Sequence, residues 1–152
     1  MMTKQLPISF NASHKSDVRS QFAALCYRLR RGTPEILLIT SRGTGRWIVP
    51  KGWPIDGLTP AASAAQEAWE EAGVKGRVYD QCLGLYSYSK SVSGTDLPIV
   101  AMVYPIKVKS LASDFPEVGQ RARKWYSRRK AAVLVAQPEL ARIIKDFDPS
   151  HL

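Results

Sequence analysis

Three carboxylates lie within five residues of this 152-residue chain, at Glu67, Glu70 and Glu71. Thr59 is a typical helix N-cap and Gly73 a typical left-handed C-cap, so the segment between them is predicted to be one short helix. Because residues three and four apart are neighbours on a helix, Glu67 faces both other glutamates, at a cost of about 0.2–0.5 kcal/mol per pair. Such a cluster is either a solvated acidic surface or a site for a hard divalent cation, Mg²⁺ or alternatively Mn²⁺, that takes oxygen ligands.

The predicted helix also carries an apolar stripe, formed by Ala61, Ala65, Ala68 and Ala72 at spacings of four, three and four. This periodicity indicates that one face packs against a core. Pro60 occupies the first helical position, where its missing N–H costs nothing. The glutamates are expected on the face opposite the stripe.

The chain carries a formal net charge of +9. Basic domains bind nucleic acid, anionic lipid or phosphorylated small molecules, or simply have a basic surface. One glycine-rich turn contains Ser41, Arg42 and Arg46, and a turn of this kind is suited to phosphate oxygens.

The wider pattern predicts an α/β fold with interleaved strands and helices. Strands are predicted at Gln21–Arg28, Glu35–Thr40, Arg77–Ser89, Leu97–Val108 and Lys124–Tyr126, the first two as an antiparallel pair. Further helices are predicted from Arg128 and from Pro138 to about Phe147. Residues 19–152 are expected to form a single domain, and residues 1–18 a flexible N-terminal arm.

Composition narrows the class of protein further. No apolar run is long enough for a signal-peptide h-region or a membrane span, so a cytoplasmic protein without a membrane partner is expected. Cys26 and Cys82 lie in apolar strand patterns and are expected to be reduced core residues. With two histidines and two cysteines the chain has too few ligands for a zinc site. The sequence does not indicate an oligomeric state.

The segment from Gly52 to Val74 resembles the Nudix box, G-x5-E-x7-R-E-U-x-E-E-x-G-U, in which U is aliphatic. It matches at Gly52, Glu67, Ala68, Glu70, Glu71, Gly73 and Val74. Leu58 replaces the first glutamate of the box and Gln66 replaces its arginine. The three metal-ligand carboxylates are retained, so the departures affect residues that brace the loop.

Segments outside the box sharpen the resemblance. The stretches SRG…RWIVPKG, EAGVKG and GQRARKWYSRRKAA resemble the diphosphoinositol polyphosphate phosphohydrolase branch of the Nudix superfamily, including its bacterial relatives. The likeness covers most of Arg19 to Phe147. It departs at Trp53-Pro54, where that branch commonly has glycines. The fold implied is the Nudix α/β/α sandwich with a mixed β-sheet.

The resemblance also implies roles for individual residues. Glu67, Glu70 and Glu71 would ligate Mg²⁺ together with the backbone carbonyl of Gly52. The general base is expected to be Glu70 or Glu67, with Asp96 and Glu117 as alternatives in loops. The implied substrate-binding residues are cationic or polar: Arg19, Ser41, Arg42, Arg46, Lys51, Arg121, Arg123 and Lys124. Trp53 is a further candidate for substrate contact.

The reaction implied is Mg²⁺-dependent hydrolysis of a diphosphate bond, and the expected partner is a phosphorylated small molecule such as a diphosphoinositol polyphosphate or inorganic polyphosphate. One alternative keeps the enzyme but changes its substrate to a dinucleoside polyphosphate, an RNA 5′ end or an oxidised nucleotide. Another is a non-catalytic module that binds nucleotide or nucleic acid. The retained glutamates argue against that module, whereas Leu58 and Gln66 favour it mildly.

Overall fold

The computed structural model describes Gln5 and residues 19–152, except for the side chain of Val92. The eight strands of this part are β1 (Ser20–Arg30), β2 (Thr33–Thr40), β3 (Trp47–Ile48), β4 (Lys51–Gly52), β5 (Val74–Val78), β6 (Gly84–Val92), β7 (Thr95–Leu111) and β8 (Arg123–Ser127). The helices are α1 (Pro60–Ala72), α2 (Arg128–Leu134) and α3 (Pro138–Asp146), followed by a 3-10 turn over Pro149–His151. Apart from Gln5, the predicted N-terminal arm lies outside the described residues.

The strands form one mixed sheet in the order β3-β2-β1-β7-β5. β1 and β7 run parallel at its centre, and the other pairings are antiparallel, including the predicted pairing of β1 with β2. β4 pairs with β1, β6 with β7 and β8 with β2. This arrangement brings β4, which directly precedes the loop before α1, next to the central strand.

The predicted strand over residues 77–89 is divided in two, because β5 and β6 follow one another along the same edge of β7. The two strands separate opposite Pro105. The Pro105 carbonyl accepts from the Tyr79 N–H at 3.0 Å, but a proline has no N–H to donate to a neighbouring strand. Cys82 lies in this interruption and is exposed, so the prediction of a buried Cys82 is wrong. Cys26, in β1, is buried as predicted.

Side-chain alternation along β1 divides the core into two layers. Ala23 and Leu25 point to one face of the sheet, where they pack with Leu140 and Ile144 of α3 and with residues of α2. Phe22, Ala24 and Cys26 point to the other face, which is covered by the alanine side of α1. The protein is therefore an α/β/α sandwich, as predicted. In the part of the chain described here, no helix is long and apolar enough to cross a membrane.

Gln5 contacts the start of α1. Its Oε1 accepts from the Ala61 N–H at 3.1 Å, while its Nε2 lies 3.1 Å from both the Asp80 carbonyl and the Tyr104 hydroxyl. The Ala61 N–H belongs to the first turn of α1, where backbone donors have no partner within the helix. Gln5 therefore satisfies a donor that the helix itself leaves free.

Candidate active site

Helix α1 begins and ends where the local sequence predicts. The Thr59 hydroxyl accepts from the Ala62 N–H at 3.1 Å, and Pro60 opens the helix. Gly73 ends it with a φ of +68°, and its N–H donates to carbonyls of the last turn. A side chain at position 73 would also overlap Phe115. Both ends of the helix are thus fixed, and with them the glutamates of its last two turns.

The N-cap can be tested directly. Thr59→Ala removes the hydroxyl that bonds the Ala62 N–H, and we expect it to lower the free energy of unfolding by about 1 kcal/mol. For a chain of this size that corresponds to a decrease in Tm of about 2–4 °C. Thr59→Ser keeps the hydroxyl and serves as the matched control. Equal Tm values for all three proteins in a thermal melt would contradict the assignment of this cap.

The three glutamates differ in exposure. Glu67 and Glu70 are half-buried, whereas Glu71 is buried, with 8% of its surface exposed. The expectation that all three lie opposite the alanine stripe is therefore wrong for Glu71. The stripe itself is also shifted, because Ala64 is fully buried and Ala65 only partly. Glu71 follows Ala64 by seven residues, which places it near the same side of a helix.

Gly52 lies directly against the first of these carboxylates. A Cβ built at position 52 would fall within 2.6 Å of Glu67 Oε2, so a side chain there would force the carboxylate to move. β4 carries Gly52 into this position because it pairs with β1, where Gly52 lies opposite Phe22. The glycine therefore allows the backbone of β4 and the Glu67 carboxylate to approach closely.

Gly52→Ala tests this approach. The new methyl group would displace the Glu67 carboxylate, whose flexible end can move with little loss of stability. We expect the hydrolysis that the sequence resemblance implies to slow about 10- to 100-fold, the effect of misplacing a functional group by about 1 Å. Turnover and Tm should be measured together, and in a Glu67→Gln background the same substitution should cost far less. An unchanged turnover in Gly52→Ala would show that this contact does not position Glu67.

Glu71 is held by groups from two other elements. The Lys51 N–H donates to its Oε1 at 3.2 Å, and Nη2 of Arg121 lies 3.6 Å from its Oε2. Burial nevertheless raises the pKa of Glu71, because desolvation outweighs the opposing effects of Arg121 and Lys51.

Arg121 links Glu71 to the loop after β7. Its side chain is 8% exposed, its Nη1 donates to the Thr40 carbonyl at 3.1 Å, and its Nη2 lies 3.4 Å from Glu117 Oε1. The Glu117 N–H in turn donates to the Glu70 carbonyl at 3.0 Å. Nε of Arg121 is buried without a hydrogen-bond partner among the described residues. This network joins the loop to the glutamate turn of α1.

The glycine-rich turn lies beside the same loop. Arg42 Nη1 donates to Gln120 at 3.0 Å and lies 3.8 Å from Glu117. Ser41 and Arg46 close the turn, since the Ser41 N–H donates to the Arg46 carbonyl at 2.8 Å and the Arg46 N–H donates to Ser41 Oγ at 3.0 Å. Arg42 and Arg46 are exposed. The turn thus presents two exposed arginines, of which Arg42 lies beside the Glu117 carboxylate.

Arg123 has a different environment from the other predicted phosphate contacts. Its guanidinium donates to the Ala72 carbonyl at 2.7 Å and to the Ala112 carbonyl at 2.8 Å, and it lies over the Phe115 ring. It therefore satisfies a carbonyl in the last turn of α1, which no helical N–H can reach. This position indicates that Arg123 fixes the end of the helix.

Lys124 lies away from the glutamate face, and the side chain of Arg19 makes no contact that places it at the glutamates among the described residues. Lys124 pairs with Leu38, whose side chain belongs to the α2 and α3 side of the sheet, so Lys124 is on the side opposite α1. Arg19 is exposed before β1, and its carbonyl accepts from the Val100 N–H. Asp96 is exposed near the start of β7, in the hairpin with β6.

Lys51 belongs to a group of cations and aromatic rings. Lys51 and Trp53 of this group are predicted from the sequence, but Tyr88 and Lys90 are not. Its Nζ lies 5.1 Å from the Tyr88 ring centre, and Lys90 Nζ lies 5.2 Å from that of Trp53. The Tyr88 hydroxyl donates to buried Gln21. Burial lowers the pKa of Lys51. Alternation along β6 places Tyr88 and Lys90 on one face, and this signal was available in the sequence.

The glutamates supply the type of donor atom that a divalent cation binds. Among the described residues no three His, Cys, Asp or Glu side chains already converge as a metal site. The carboxylates of Glu67, Glu70 and Glu71, with the backbone of Gly52 against the first, are the oxygen donors that hard cations take. Glu70 accepts from Gln66 Nε2 at 3.1 Å, a bond that a metal ion would compete with. These residues would hold the ion.

Comparison with known proteins decides the family. The sequence pattern of the NUDIX domain matches residues 19–147. The chain belongs to the Nudix family. It is 32% identical over 111 residues to diphosphoinositol polyphosphate phosphohydrolase 3-beta of Homo sapiens, covering 71% of this chain and 63% of that protein. It is 31% identical over 117 residues to Nudix hydrolase 12, mitochondrial, of Arabidopsis thaliana, covering 74% and 58%.

The predicted resemblance to the diphosphoinositol polyphosphate phosphohydrolase branch is thereby confirmed, although the match spans less than two thirds of either relative's length. Solved structures show the same fold. A NUDIX hydrolase from Nitrosomonas europaea superposes with a TM-score of 0.62 at 18% identity, covering 88% of this chain and 95% of that one. A C. elegans Ap4A hydrolase binary complex gives 0.59 at 18% identity, covering 84% and 93%. Nudix hydrolases generally use divalent metals.

Proposed function

We propose that this Nudix chain is an Mg²⁺-dependent pyrophosphohydrolase that cleaves a diphosphate bond in a highly phosphorylated small molecule, such as a diphosphoinositol polyphosphate. One observation carries the proposal. The last two turns of α1 hold three glutamates, and the Glu117 N–H joins this turn to a loop whose Glu117 carboxylate lies 3.8 Å from Arg42. Acidic groups suited to a metal and cations suited to phosphate thus meet in one network.

The chain's own residues have distinct roles in this reaction. When bound, the divalent ion offsets phosphate charge and lowers the pKa of a water molecule. Glu67 and Glu70 are half-buried and so remain accessible to solvent, which suits one of them to accept the proton of the attacking water. Glu71 is buried between Lys51 and Arg121, which suits it to a fixed ligand. Glu117 faces two arginines, so its carboxylate is less suited to act as the base.

Several cations favour a substrate with many phosphates. Arg42 and Arg46 are exposed on the glycine-rich turn, and Lys51 and Lys90 lie near the same end of the sheet, where their charges affect one another. Guanidinium groups bind phosphate oxygens bidentately, so each added phosphate gains a well-oriented contact. The similarity to proteins named diphosphoinositol polyphosphate phosphohydrolases supports the same substrate class.

A nucleotide substrate is the second candidate, and the aromatic residues favour it. Trp53 and Tyr88 each lie beside a lysine, an arrangement that could hold a base by stacking and its phosphates by charge. Trp53 also replaces a glycine that is common in the diphosphoinositol branch. A dinucleoside polyphosphate would use both features.

A substrate panel separates the two candidates. An inositol pyrophosphate, dinucleoside polyphosphates, inorganic polyphosphate, and capped and triphosphate RNA should be assayed for phosphate release with Mg²⁺, Mn²⁺ and EDTA. The proposal expects activity with a metal ion and none in EDTA, with the highest kcat/KM for the inositol pyrophosphate. Binding of RNA without cleavage of any substrate would identify a non-catalytic module and overturn the proposal.

Trp53→Ala gives an independent measure of the substrate class. If the substrate is an inositol pyrophosphate, the change should alter KM less than about threefold, because a saturated ring crowded with phosphate anions stacks poorly on the negative face of the indole. If it is a nucleotide, loss of stacking should raise KM about tenfold. Lys90→Ala, which removes the cation over the same ring, is the matched variant and should raise KM for either substrate. Equal KM values for Lys90→Ala and the unaltered protein would remove this region from the substrate site.

A further inference from the structure

A second concave surface lies between α2 and α3, on the side of the sheet away from α1. It encloses about 620 Å³, which is within the usual range for ligand-binding clefts. Its apolar lining comes from Ala132 and Val133 of α2 and from Ala141 of α3. Val133 is 73% exposed, the largest value among the exposed large hydrophobic residues of the described part. We call this surface the α2–α3 groove.

Cations surround the apolar lining of the α2–α3 groove. Arg128 and Arg129 come from α2, Arg142 and Lys145 from α3, and the only acid among the lining residues is Asp146. Arg128 donates to the Phe147 carbonyl. Within the described chain, the other three cations make no ion pair or hydrogen bond. Among the described residues, therefore, three cations beside a concave apolar surface have no ion-pair partner.

Helical spacing makes this a continuous surface. Arg129 and Val133 are four residues apart on α2, and Ala141 and Lys145 are four apart on α3, so each pair lies on one helix face. Ala131 of α2 and Ile144 of α3 are buried in the core, whereas Val133 and the three cations are exposed. The fold therefore needs neither the exposed valine nor the three cations for its own packing.

The residue types of the α2–α3 groove favour a protein partner over other anions. Inorganic polyphosphate could pair with the cations but would leave the apolar lining unused. Single-stranded nucleic acid is usually bound through stacking on aromatic side chains, and no aromatic residue lines the groove. Arginine is enriched at protein interfaces, where its planar group matches carboxylates bidentately.

We infer that the α2–α3 groove binds an acidic segment of a partner protein that carries a bulky apolar side chain. The apolar side chain contacts Val133 and the neighbouring alanines, and the flanking carboxylates pair with Arg129, Arg142 and Lys145. The groove lies on the face of the sheet opposite α1, so this binding goes beyond the proposed hydrolysis and does not depend on it.

Fluorescence anisotropy with three labelled peptides tests the inference on the full chain. The first has glutamates around a central apolar residue, tried as leucine, phenylalanine and tryptophan. The second has serine at the centre, and the third has glutamine in place of glutamate. We expect the first to bind, and the second and third to bind at least about tenfold more weakly, because apolar and charged contacts are both required.

Variants of the chain locate the binding. Arg129→Glu/Arg142→Glu and, separately, Val133→Ser should each weaken binding of the first peptide about tenfold or more. Both changes are at the surface, and neither should alter hydrolytic turnover. The matched control is Arg30→Glu/Lys109→Glu, which makes the same change in net charge at exposed residues outside the groove and should leave the affinity nearly unchanged.

Four results would overturn the inference: no binding of any apolar-centred peptide, equal weakening by the control variant, no weakening by Arg129→Glu/Arg142→Glu, or no effect of Val133→Ser. If Val133→Ser has no effect, inorganic polyphosphate and single-stranded RNA should be tested as ligands. If either binds more tightly than the peptides and loses its binding in Arg129→Glu/Arg142→Glu, the ligand of the groove is a polyanion and not an acidic protein segment. Backbone amide chemical shifts in NMR should change at residues 129, 133 and 142 when the peptide binds.

Discussion

Glu70→Gln should lower hydrolytic turnover about 10²- to 10⁴-fold while leaving the fold intact, since a positioned general base contributes an effect of this size. The amide has the size of the carboxylate but neither its charge nor its basicity. The structure supplies the reason that stability should survive. Glu70 is half-buried, and its contact to the loop uses its backbone carbonyl, which accepts from the Glu117 N–H.

The measurement should compare kcat and KM in Mg²⁺ with Tm in EDTA. Glu139→Gln is the matched control, because Glu139 lies on α3, where its carboxylate accepts from Ser87. That variant should keep its turnover. Glu67→Gln belongs in the same series. Whichever of the two variants loses the acidic limb of the pH dependence of kcat, the rise that reports deprotonation of the base, identifies the base. Full turnover in both would exclude this helix as the catalytic element.

The glutamate helix was predictable because its signals are local. Thr59, Pro60 and Gly73 act within one turn of the helix ends, and the spacing of the alanines is set by the helical period. The position of Glu71 was not predictable in this way. Its burial depends on β4 and on Arg121, a residue fifty positions further along the chain.

Arg123 illustrates the same limit for the substrate-binding predictions. Sequence resemblance groups it with Arg121 and Lys124, but strand alternation in β8 separates Arg123 from Lys124 onto opposite faces of the sheet. The carbonyls that Arg123 bonds belong to Ala72, fifty-one residues earlier, and to Ala112. Residue type alone could not distinguish a cation that binds a helix end from one that binds phosphate.

Arg121→Met should lower the free energy of unfolding by about 2–3 kcal/mol, somewhat below the usual cost of removing one partner from a fully buried ion pair. Arg121 and Glu71 have side chains that are 8% and 10% exposed, so removal of the cation leaves a buried carboxylate with the Lys51 N–H as its remaining donor. Glu117 is less affected, because it is more exposed and also lies near Arg42.

A double-mutant cycle in urea isolates this interaction. In a Glu71→Gln background no carboxylate remains at position 71, so Arg121→Met should cost at least about 1 kcal/mol less than it does alone. Lys124→Met is the matched control, since it removes an exposed cation from the same segment and should change stability by less than about 0.5 kcal/mol. Measurements in EDTA keep any divalent ion away from Glu71.

The pH dependence of Arg121→Met provides a second test of the same pair. Removing Arg121 takes away the largest effect that opposes burial, so the pKa of Glu71 should rise further above its unfolded value of about 4.3. A carboxyl group whose pKa is raised by folding stabilises the protein below the unfolded pKa, and this contribution is lost as pH rises. The stability difference between Arg121→Met and the unaltered protein should therefore be smallest at about pH 4 and grow toward pH 7. The stability difference could instead stay constant across this pH range, or its pH dependence could persist in a Glu71→Gln background. Either result would mean that Arg121→Met destabilises the protein through lost packing around Arg121 and not through an unpaired Glu71 carboxylate.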